Sequence, residues 1–572
     1  MKKPVIYCEQ FGFQYDSQKE PTLKNIHLSI EQGETVLILG PSGSGKSTLG
    51  HLINGLASNA YKGTVTGRME VAGHPVGQTD IFTLSNEVGT VLQDTDGQFL
   101  GLTVAEDIAF ALENLAVDGT TMHQKVQYWA EKVRLNQLLA HRPQDLSGGQ
   151  KQRVSMAGVM IGETPILLFD EPLANLDPKT GKEAMELIEE LKNELSATVV
   201  IIEHRLEDVL HCKVDRIIVM QEGQIISDST PQKLLTSDTL AQMGIREPLY
   251  ISAMRYAGLD LANFHPIDSL ANLDLAIQKE KFQNWQKAQS QKILSQQTKP
   301  LLELDRISCG YGQKLILKNL SMSIHQGEMV AIVGENGAGK STLIKLICGF
   351  IPLQNGRMQF KGNDLTKDSI KERADKIGYV MQNPNQMISQ NIVFDEIALG
   401  LKLRGVDQET IQQKVHEVLK ICGLFPFRNW PIQALSYGQK KRVTIASMLA
   451  LEPEILILDE PTAGQDLAHY TQMMDFLEQL NRQGVTIILV THDMHLMLEY
   501  TTRSLVMVDG QVIADLTPAQ LLTNQKLIDQ ASLKETSLYT LALKLHLENP
   551  SQFVQTFIDY EKANKVRVCD DK

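Results

Sequence analysis

Gly40-Pro41-Ser42-Gly43-Ser44-Gly45-Lys46-Ser47 is the stretch that decides the fold. It fits G-x-x-x-x-G-K-[ST], the pattern of a phosphate-cradling loop. The apolar run Thr35-Val-Leu-Ile-Leu39 before it predicts a buried strand, and Thr48-Leu-Gly-His-Leu-Ile-Asn-Gly-Leu56 after it predicts the start of a helix. Strand, glycine loop and helix are the context the pattern needs. Glycines let backbone N–H groups turn onto phosphate oxygens, and the helix N-terminus adds partial positive charge. Lys46 can reach the β- and γ-phosphates, and the Ser47 hydroxyl, ahead of Thr48, can ligand Mg²⁺. A second copy, Gly334-Glu335-Asn336-Gly337-Ala338-Gly339-Lys340-Ser341-Thr342, follows the strand-like Met329-Val-Ala-Ile-Val333. Two copies in one context rule out an accidental glycine-rich turn.

The copies belong to a longer repeat. The loop lysines are 294 residues apart (340 − 46), while Gln93 and Gln382 are 289 apart (382 − 93). Leu146-Ser147-Gly148-Gly149-Gln150 answers Leu435-Ser436-Tyr437-Gly438-Gln439, and Ile166-Leu-Leu-Phe-Asp170-Glu171 answers Ile455-Leu-Ile-Leu-Asp459-Glu460. His204 answers His492, and Leu249-Tyr250 answers Leu538-Tyr539. Strands alternate with helical stretches in each half, the pattern of an α/β sheet with crossover helices. The expected organisation is a first nucleotide-binding domain over 1–240, an extension and linker over 241–300, a second domain over 301–530 and its extension over 531–572. Each domain carries a mainly helical insert, with helices expected at Gln124 to Leu139 and at Gln412 to Ile421. The extensions read as helical. The stretch from Gln278 to Pro300 reads as a polar helix or a flexible linker.

Composition sets the frame for these domains. A chain of 572 residues with 42% hydrophobic and 22% charged residues has the balance of a globular protein of several domains. A net charge of −13 argues against a bulk electrostatic grip on nucleic acid. The six cysteines are spread out with no C-x-x-C pair, so free thiols are expected and a metal cluster is not. No apolar run approaches the roughly 18 residues that would span a bilayer, and the N-terminus lacks the apolar core of a signal peptide. The expected location is therefore cytoplasmic, unless a partner holds the chain at a membrane.

Several side chains can carry chemistry beside the loops. Asp170 and Asp459 end apolar runs, where a carboxylate can hold Mg²⁺. Glu171 and Glu460 leave the strand in a different direction and are the candidate general bases. His204 and His492 each follow an apolar strand and can donate to the γ-phosphate and hold the attacking water. Gln93 and Gln382 can bind Mg²⁺ or that water through the amide oxygen. The Leu-Ser-Gly-Gly-Gln and Leu-Ser-Tyr-Gly-Gln stretches offer a serine hydroxyl and backbone N–H groups before a helix, a further anion site.

With these motifs in order, twice, nearly the whole chain resembles the ATP-binding-cassette ATPases. The resemblance implies two tandem P-loop domains that bind ATP and Mg²⁺ and form an intramolecular pseudo-dimer. It implies that the signature of one cassette completes the ATP site of the other. Ser436, Gly438 and Gln439 would then face Lys46 and Glu171, and Ser147, Gly148, Gly149 and Gln150 would face Lys340 and Glu460. Tyr15 and Tyr311 would stack on adenine, while Asp177 and Asp466 would cross the interface. Tyr437 departs from the usual glycine; it can narrow the anion pocket or leave it intact by pointing away.

The stretches after Gln93 and Gln382 carry Phe99, Leu100, Met387 and Ile388, where the family receives coupling helices of a membrane subunit. With Glu203-His204-Arg205-Leu206-Glu207, they are similar to the duplicated ATPase of energy-coupling-factor importers. That resemblance implies a transmembrane scaffold subunit, a separate substrate-binding membrane subunit, and a vitamin, a vitamin precursor or a metal ion as cargo. It places the chain on the cytoplasmic face of the cell membrane. Two other readings stand beside it: a soluble tandem cassette working on the ribosome, and the ATPase of a sugar importer.

Overall fold

The computed structural model describes residues 4–93, 96–173, 176–289, 299–312, 314–462 and 465–570. Residues 290–298 of the expected linker lie outside the described residues, as do 94–95 after Gln93 and 174–175 and 463–464 ahead of Asp177 and Asp466. The chain forms two compact units, Met1–Lys281 with Gly464–Ala468, and Phe282–Ala463 with His469–Lys572.

In the first unit, a four-stranded antiparallel sheet runs in the order Leu23–Glu31, Pro4–Tyr15, Gly63–Val71, His74–Pro75. A six-stranded sheet runs Gln224–Ser229, Arg216–Gln221, Thr35–Leu39, Thr198–Ile202, Ile166–Asp170, Val88–Val91. All its pairings are parallel except that of the edge strand Gln224–Ser229. The three central strands Thr35–Leu39, Thr198–Ile202 and Ile166–Asp170 are buried at every residue, which is why they read as unbroken apolar runs. Phe11, Phe13, Ile38, Leu49, Leu168 and Val200 form part of one core that joins the two sheets and the helix Lys46–Ile53.

The second unit repeats this plan. Its antiparallel sheet orders Lys314–His325, Pro300–Tyr311, Asn355–Phe360 and Asn363–Asp364. Its larger sheet orders Ile377–Val380, Ile455–Asp459, Thr486–Val490, Met329–Val333, Arg503–Val508 and Gln511–Leu516.

The helical inserts begin five and four residues before the expected starts (124 − 119; 412 − 408) and differ in where they end. The second-half helix Gln408–Ile421 ends where expected, but its counterpart Gly119–Lys132 stops seven residues short of Leu139 (139 − 132). Both ends close in the same way. Leu135 N–H donates to Ala130 O and Arg134 N–H to Glu131 O; Leu424 N–H donates to Leu419 O and Gly423 N–H to Lys420 O. This closure needs a left-handed residue, normally glycine. The second half supplies Gly423 (φ 67°), whereas the first uses Arg134 (φ 59°), so no glycine in the sequence marks the stop.

The extensions are helical. Leu249–Tyr256 follows the first domain, and Ser537–Lys544 and Pro550–Asp570 follow the second. The polar stretch after the first extension begins with the helix Lys279–Ala288. Its Phe282 and Trp285 rings pack edge-on against Phe553, with Trp285 also against Tyr560. Among the described residues no helix is long and apolar enough to cross a membrane.

Candidate functional site

In each large sheet the central strands end side by side, and the loops after them carry the chemistry. This is where open parallel sheets bind ligands. The phosphate loop leaves Leu39, Glu203 and His204 leave Ile202, and Asp170 closes its own strand ahead of Glu171. The ladder continues one step beyond the strands: Glu203 N–H donates to Ile38 O and Glu171 N–H to Ile202 O. That step fixes the three loops against one another.

Gly45 caps the helix Lys46–Ile53 in the left-handed region at φ 98°, and Gly339 does the same for Lys340–Ile347 at φ 102°. The positive φ favours glycine there, and a Cβ at Gly45 would also press on Leu23 Cδ2, 2.7 Å away. Lys46 Nζ donates to Gly40 O (2.7 Å) and Pro41 O (2.9 Å), and Lys340 Nζ to Gly334 O (2.7 Å) and Glu335 O (2.8 Å). Both ammonium groups therefore lie across the mouth of their loops. Burial lowers the Lys46 pKa, against the pull of Glu171, Asp466 and Asp170. Ser47 and Ser341, the next residues, are exposed.

Asp170 is buried, and its Oδ1 has no hydrogen-bond partner among the described residues. An orphaned carboxylate oxygen below a phosphate loop is a strong acceptor that fits a cation. The Ser47 hydroxyl and the Gln93 amide oxygen are donors of the same hard, all-oxygen kind that Mg²⁺ takes. Burial also raises the Asp170 pKa. In the second half, Asp459 Oδ2 accepts from Tyr379 Oη at 3.3 Å, and burial, then Glu460, raise its pKa.

The glutamates have different surroundings. Both sit in the left-handed region, Glu171 at φ 49° and Glu460 at φ 44°, which turns each carboxylate back over the sheet end. Glu460 Oε1 lies 2.6 Å from His492 Nδ1 and accepts from His492 N–H at 3.1 Å; its Oε2 accepts from Thr491 Oγ1 at 3.3 Å. Glu171 is instead bonded by Gln93 Nε2 at 2.6 Å, and His204 Nδ1 stands 3.9 Å away.

The two halves also differ one residue ahead of the histidine, where Glu203 occupies the position of Thr491 and is fully buried. Its carboxylate accepts from the backbone N–H groups of Leu173, His204 and Arg205 and lies 3.6 Å from His204 Nδ1. Burial, then Glu203, then Asp170 push the Glu171 pKa up to about 7. Burial lowers the pKa of His204. Spacing alone assigns Glu203 no role; its signal in the sequence is a carboxylate at the end of the apolar run Thr198-Val-Val-Ile-Ile202.

The signature residues are built into helix caps. Ser147 caps Gly148–Met160, accepting from Gln150 N–H while Gln150 Oε1 accepts from Ser147 N–H. Ser436 and Gln439 do the same for Tyr437–Leu449. The serine and glutamine thus fix the first turn of each signature helix. Tyr437 points back onto its own half, donating through Oη to Gln382 O at 3.1 Å. One helical turn on, the buried Lys441 donates to Met381 O (2.6 Å) and Gln382 O (2.7 Å), and burial lowers its pKa to about 8.

Tyr15 and Tyr311 end the first strand of their antiparallel sheets. Tyr15 packs edge-on against Phe13 with its hydroxyl 3.3 Å from Thr48 Oγ1, whereas Tyr311 is half exposed. Asp177 caps the helix Pro178–Leu195 through Thr180 N–H and Thr180 Oγ1. In the first unit, Ser42 N–H donates to Asp466 Oδ2 at 2.6 Å. Five of the cysteines are free and buried, and no cluster of metal-ligating side chains occurs among the described residues.

The family described as ABC transporter matches residues 23–174 and again 317–463. A family described as ATP-binding cassette cobalt transporter matches residues 237–308. An ABC transporter ATP-binding protein of Enterococcus faecalis is 62% identical over 565 residues, 98% of this chain and 99% of the relative. One of Lactiplantibacillus plantarum is 53% identical, covering 98% of this chain and 100% of the relative. A solved structure of cbiO1 from Clostridium perfringens, described as part of the ABC transporter complex cbiONQ, is 31% identical over 43% of this chain and 99% of its own, with a TM-score of 0.38. The chain belongs to the ABC transporter ATP-binding proteins and carries their ATPase domain twice.

Proposed function

We propose that this chain is the ATP-hydrolysing, energy-coupling subunit of a membrane importer whose cargo is a vitamin, a vitamin precursor or a metal ion. The observation that carries the hydrolytic part is the set around each phosphate loop: a lysine across the loop mouth, an aspartate at the strand end (buried in the first half, partly buried in the second) and a glutamate with a histidine beside it. The match of residues 237–308 to the cobalt-transporter family supports a metal ion among these cargoes.

Lys46 and Lys340 would bind and orient the β- and γ-phosphates, with the loop N–H groups. Asp170, Ser47 and Gln93, and Asp459, Ser341 and Gln382, would hold Mg²⁺. When bound, Mg²⁺ neutralises phosphate charge, which phosphoryl transfer needs more than covalent help. Glu171 and Glu460 would accept a proton from the attacking water, and His204 and His492 would orient that water. Ser147, Gly148, Gly149 and Gln150 would complete the site built on Lys340, and Ser436, Gly438 and Gln439 the one built on Lys46. Asp177 and Asp466 would serve the same interface. The two domains, held in one chain at high effective concentration, would close on ATP and part after hydrolysis. The chain would act at the cytoplasmic face of the cell membrane, held there by a transmembrane scaffold subunit and a substrate-binding subunit.

The test is a gentle detergent pull-down of the tagged chain, with its partners identified and the captured complex assayed for phosphate release. Small polytopic membrane proteins that co-purify and stimulate ATP turnover are expected. Ribosomal proteins without membrane proteins would overturn the importer and leave an ATP-driven clamp.

A further inference from the structure

Two donors from successive turns of the helix Tyr437–Leu449 converge on one peptide carbonyl. Tyr437 Oη reaches Gln382 O at 3.1 Å, and Lys441 Nζ reaches the same oxygen at 2.7 Å and Met381 O at 2.6 Å. A carbonyl has two lone pairs, so Gln382 O is saturated. Residues four apart lie on one helix face, which places both donors over the glutamine loop together. Met381 is held from its other side, its N–H against Met387 Sδ at 3.2 Å. Lys441 is 1% exposed, so its charge-assisted bonds are made out of water, where they are strongest and where a missing partner is costly.

The first half uses the same two helix positions differently. Gly148 stands where Tyr437 stands and has no side chain to offer. Gln152 stands where Lys441 stands, and its Nε2 donates to Pro172 O, next to Glu171. There the helix is tied to the segment behind the hydrolytic glutamate, and Gln93 is oriented by the Glu171 side chain.

We propose that Tyr437 and Lys441 are positioning residues that fasten the glutamine loop of the second half to its own signature helix, so that Gln382 is presented to the nucleotide by a rigid body. The proposal rests on the ATPase reading above and deepens it. It makes Tyr437 a second-half device and not a weakened signature. It also links the glutamine that would hold Mg²⁺ in one half to the signature serine of that same half, Ser436, one residue before Tyr437.

The test uses the full chain. Tyr437→Phe keeps the ring and removes the hydroxyl; Lys441→Met keeps the length and removes the charge. Amide hydrogen exchange over residues 381–391 is expected to speed roughly tenfold in the double variant and severalfold in Tyr437→Phe alone, with the equivalent segment of the first half unchanged. In a Glu171→Gln background, where Glu460 alone supports turnover, kcat is expected to fall at least fivefold with KM for ATP held within about twofold. A merely structural lysine would lower the melting temperature without that split. Unchanged exchange in Tyr437→Phe, or faster exchange with unchanged kcat, overturns the proposal. If the Glu171→Gln parent itself hydrolyses no ATP, the reading of Glu460 as catalytic fails, while the exchange result still decides whether the tie exists.

Discussion

Glu171 and Glu460 follow their aspartates at the same strand end, in the same left-handed backbone, yet they keep different company. Glu460 is joined to His492 and Thr491, while Glu171 is joined to Gln93 and repelled by the buried Glu203. The cations besides the loop lysines also differ: Arg205 interacts with Glu171 in the first half, and Lys441 with Asp459 and Glu460 in the second. The motif residues are thus duplicated, but the groups that orient them are not. Two sites of one parentage can run at different rates without losing any motif residue.

The sharpest way to break that comparison is to remove each glutamate. Glu171→Gln and Glu460→Gln are each expected to keep part of the steady-state phosphate release. The double variant should fall by about 100-fold or more, the range of a lost general base. A single variant that loses everything would mean that the other site is inert and the two halves differ in kind.

The next effect concerns Glu203. In a Glu460→Gln background, Glu203→Thr recreates the second half's arrangement, freeing His204 to approach Glu171. Turnover by the Glu171 site is expected to change severalfold toward that of the Glu460 site. In the converse background, Thr491→Glu should move the other site the opposite way. Unchanged rates in both would show that the buried carboxylate shapes the loop without touching the chemistry.

The Glu171 carboxyl offers a milder test. Its pKa in the folded chain, about 7, lies above the 4.5 of an ordinary glutamate. Folding therefore favours its protonated form, and its contribution is fully present below pH ~4.5 and lost as pH rises through 7. Without Mg²⁺ or nucleotide, Glu171→Gln should stabilise the chain at pH 8 relative to the parent, by at most about 3 kcal/mol, and not at pH 4.5. Melting curves at the two pH values check this; equal shifts would mean that Glu203 and burial do not act on Glu171 as the structure indicates.

Much of this was legible in the sequence, for physical reasons. The parallel strands are buried on both faces, so they appear as unbroken apolar runs, and the loops that follow them carry residues of fixed chemical type at repeated spacing. What escaped was anything set by contact across distant segments. Spacing aligns His204 with His492, but only the fold shows that the first lies between Glu203 (3.6 Å) and its glutamate (3.9 Å) while the second is bonded to its own. Tyr437 was visible as a departure, but its direction depends on where the loop at Gln382 runs. The stop after Lys132 escaped because Arg134 takes a backbone conformation that no side chain advertises.

The smallest expected effect compares the two tyrosines proposed to meet adenine. Tyr311 is half exposed, whereas Tyr15 is wedged on Phe13 and hydrogen-bonded to Thr48. Aromatic stacking contributes about 1 kcal/mol, so each alanine variant should weaken ATP binding by roughly fivefold at its own site. Tyr15→Ala also strips packing from Phe13 and a bond from the helix behind the phosphate loop, so it should lower the melting temperature as well. Tyr311→Ala should weaken binding with the melting temperature unchanged. Titration with a fluorescent ATP analogue, beside a thermal melt, separates the two effects. Equal melting shifts for both variants would mean that the Tyr15 contacts hold the strand end no more firmly than solvent does, and the contrast between the two adenine faces would fail.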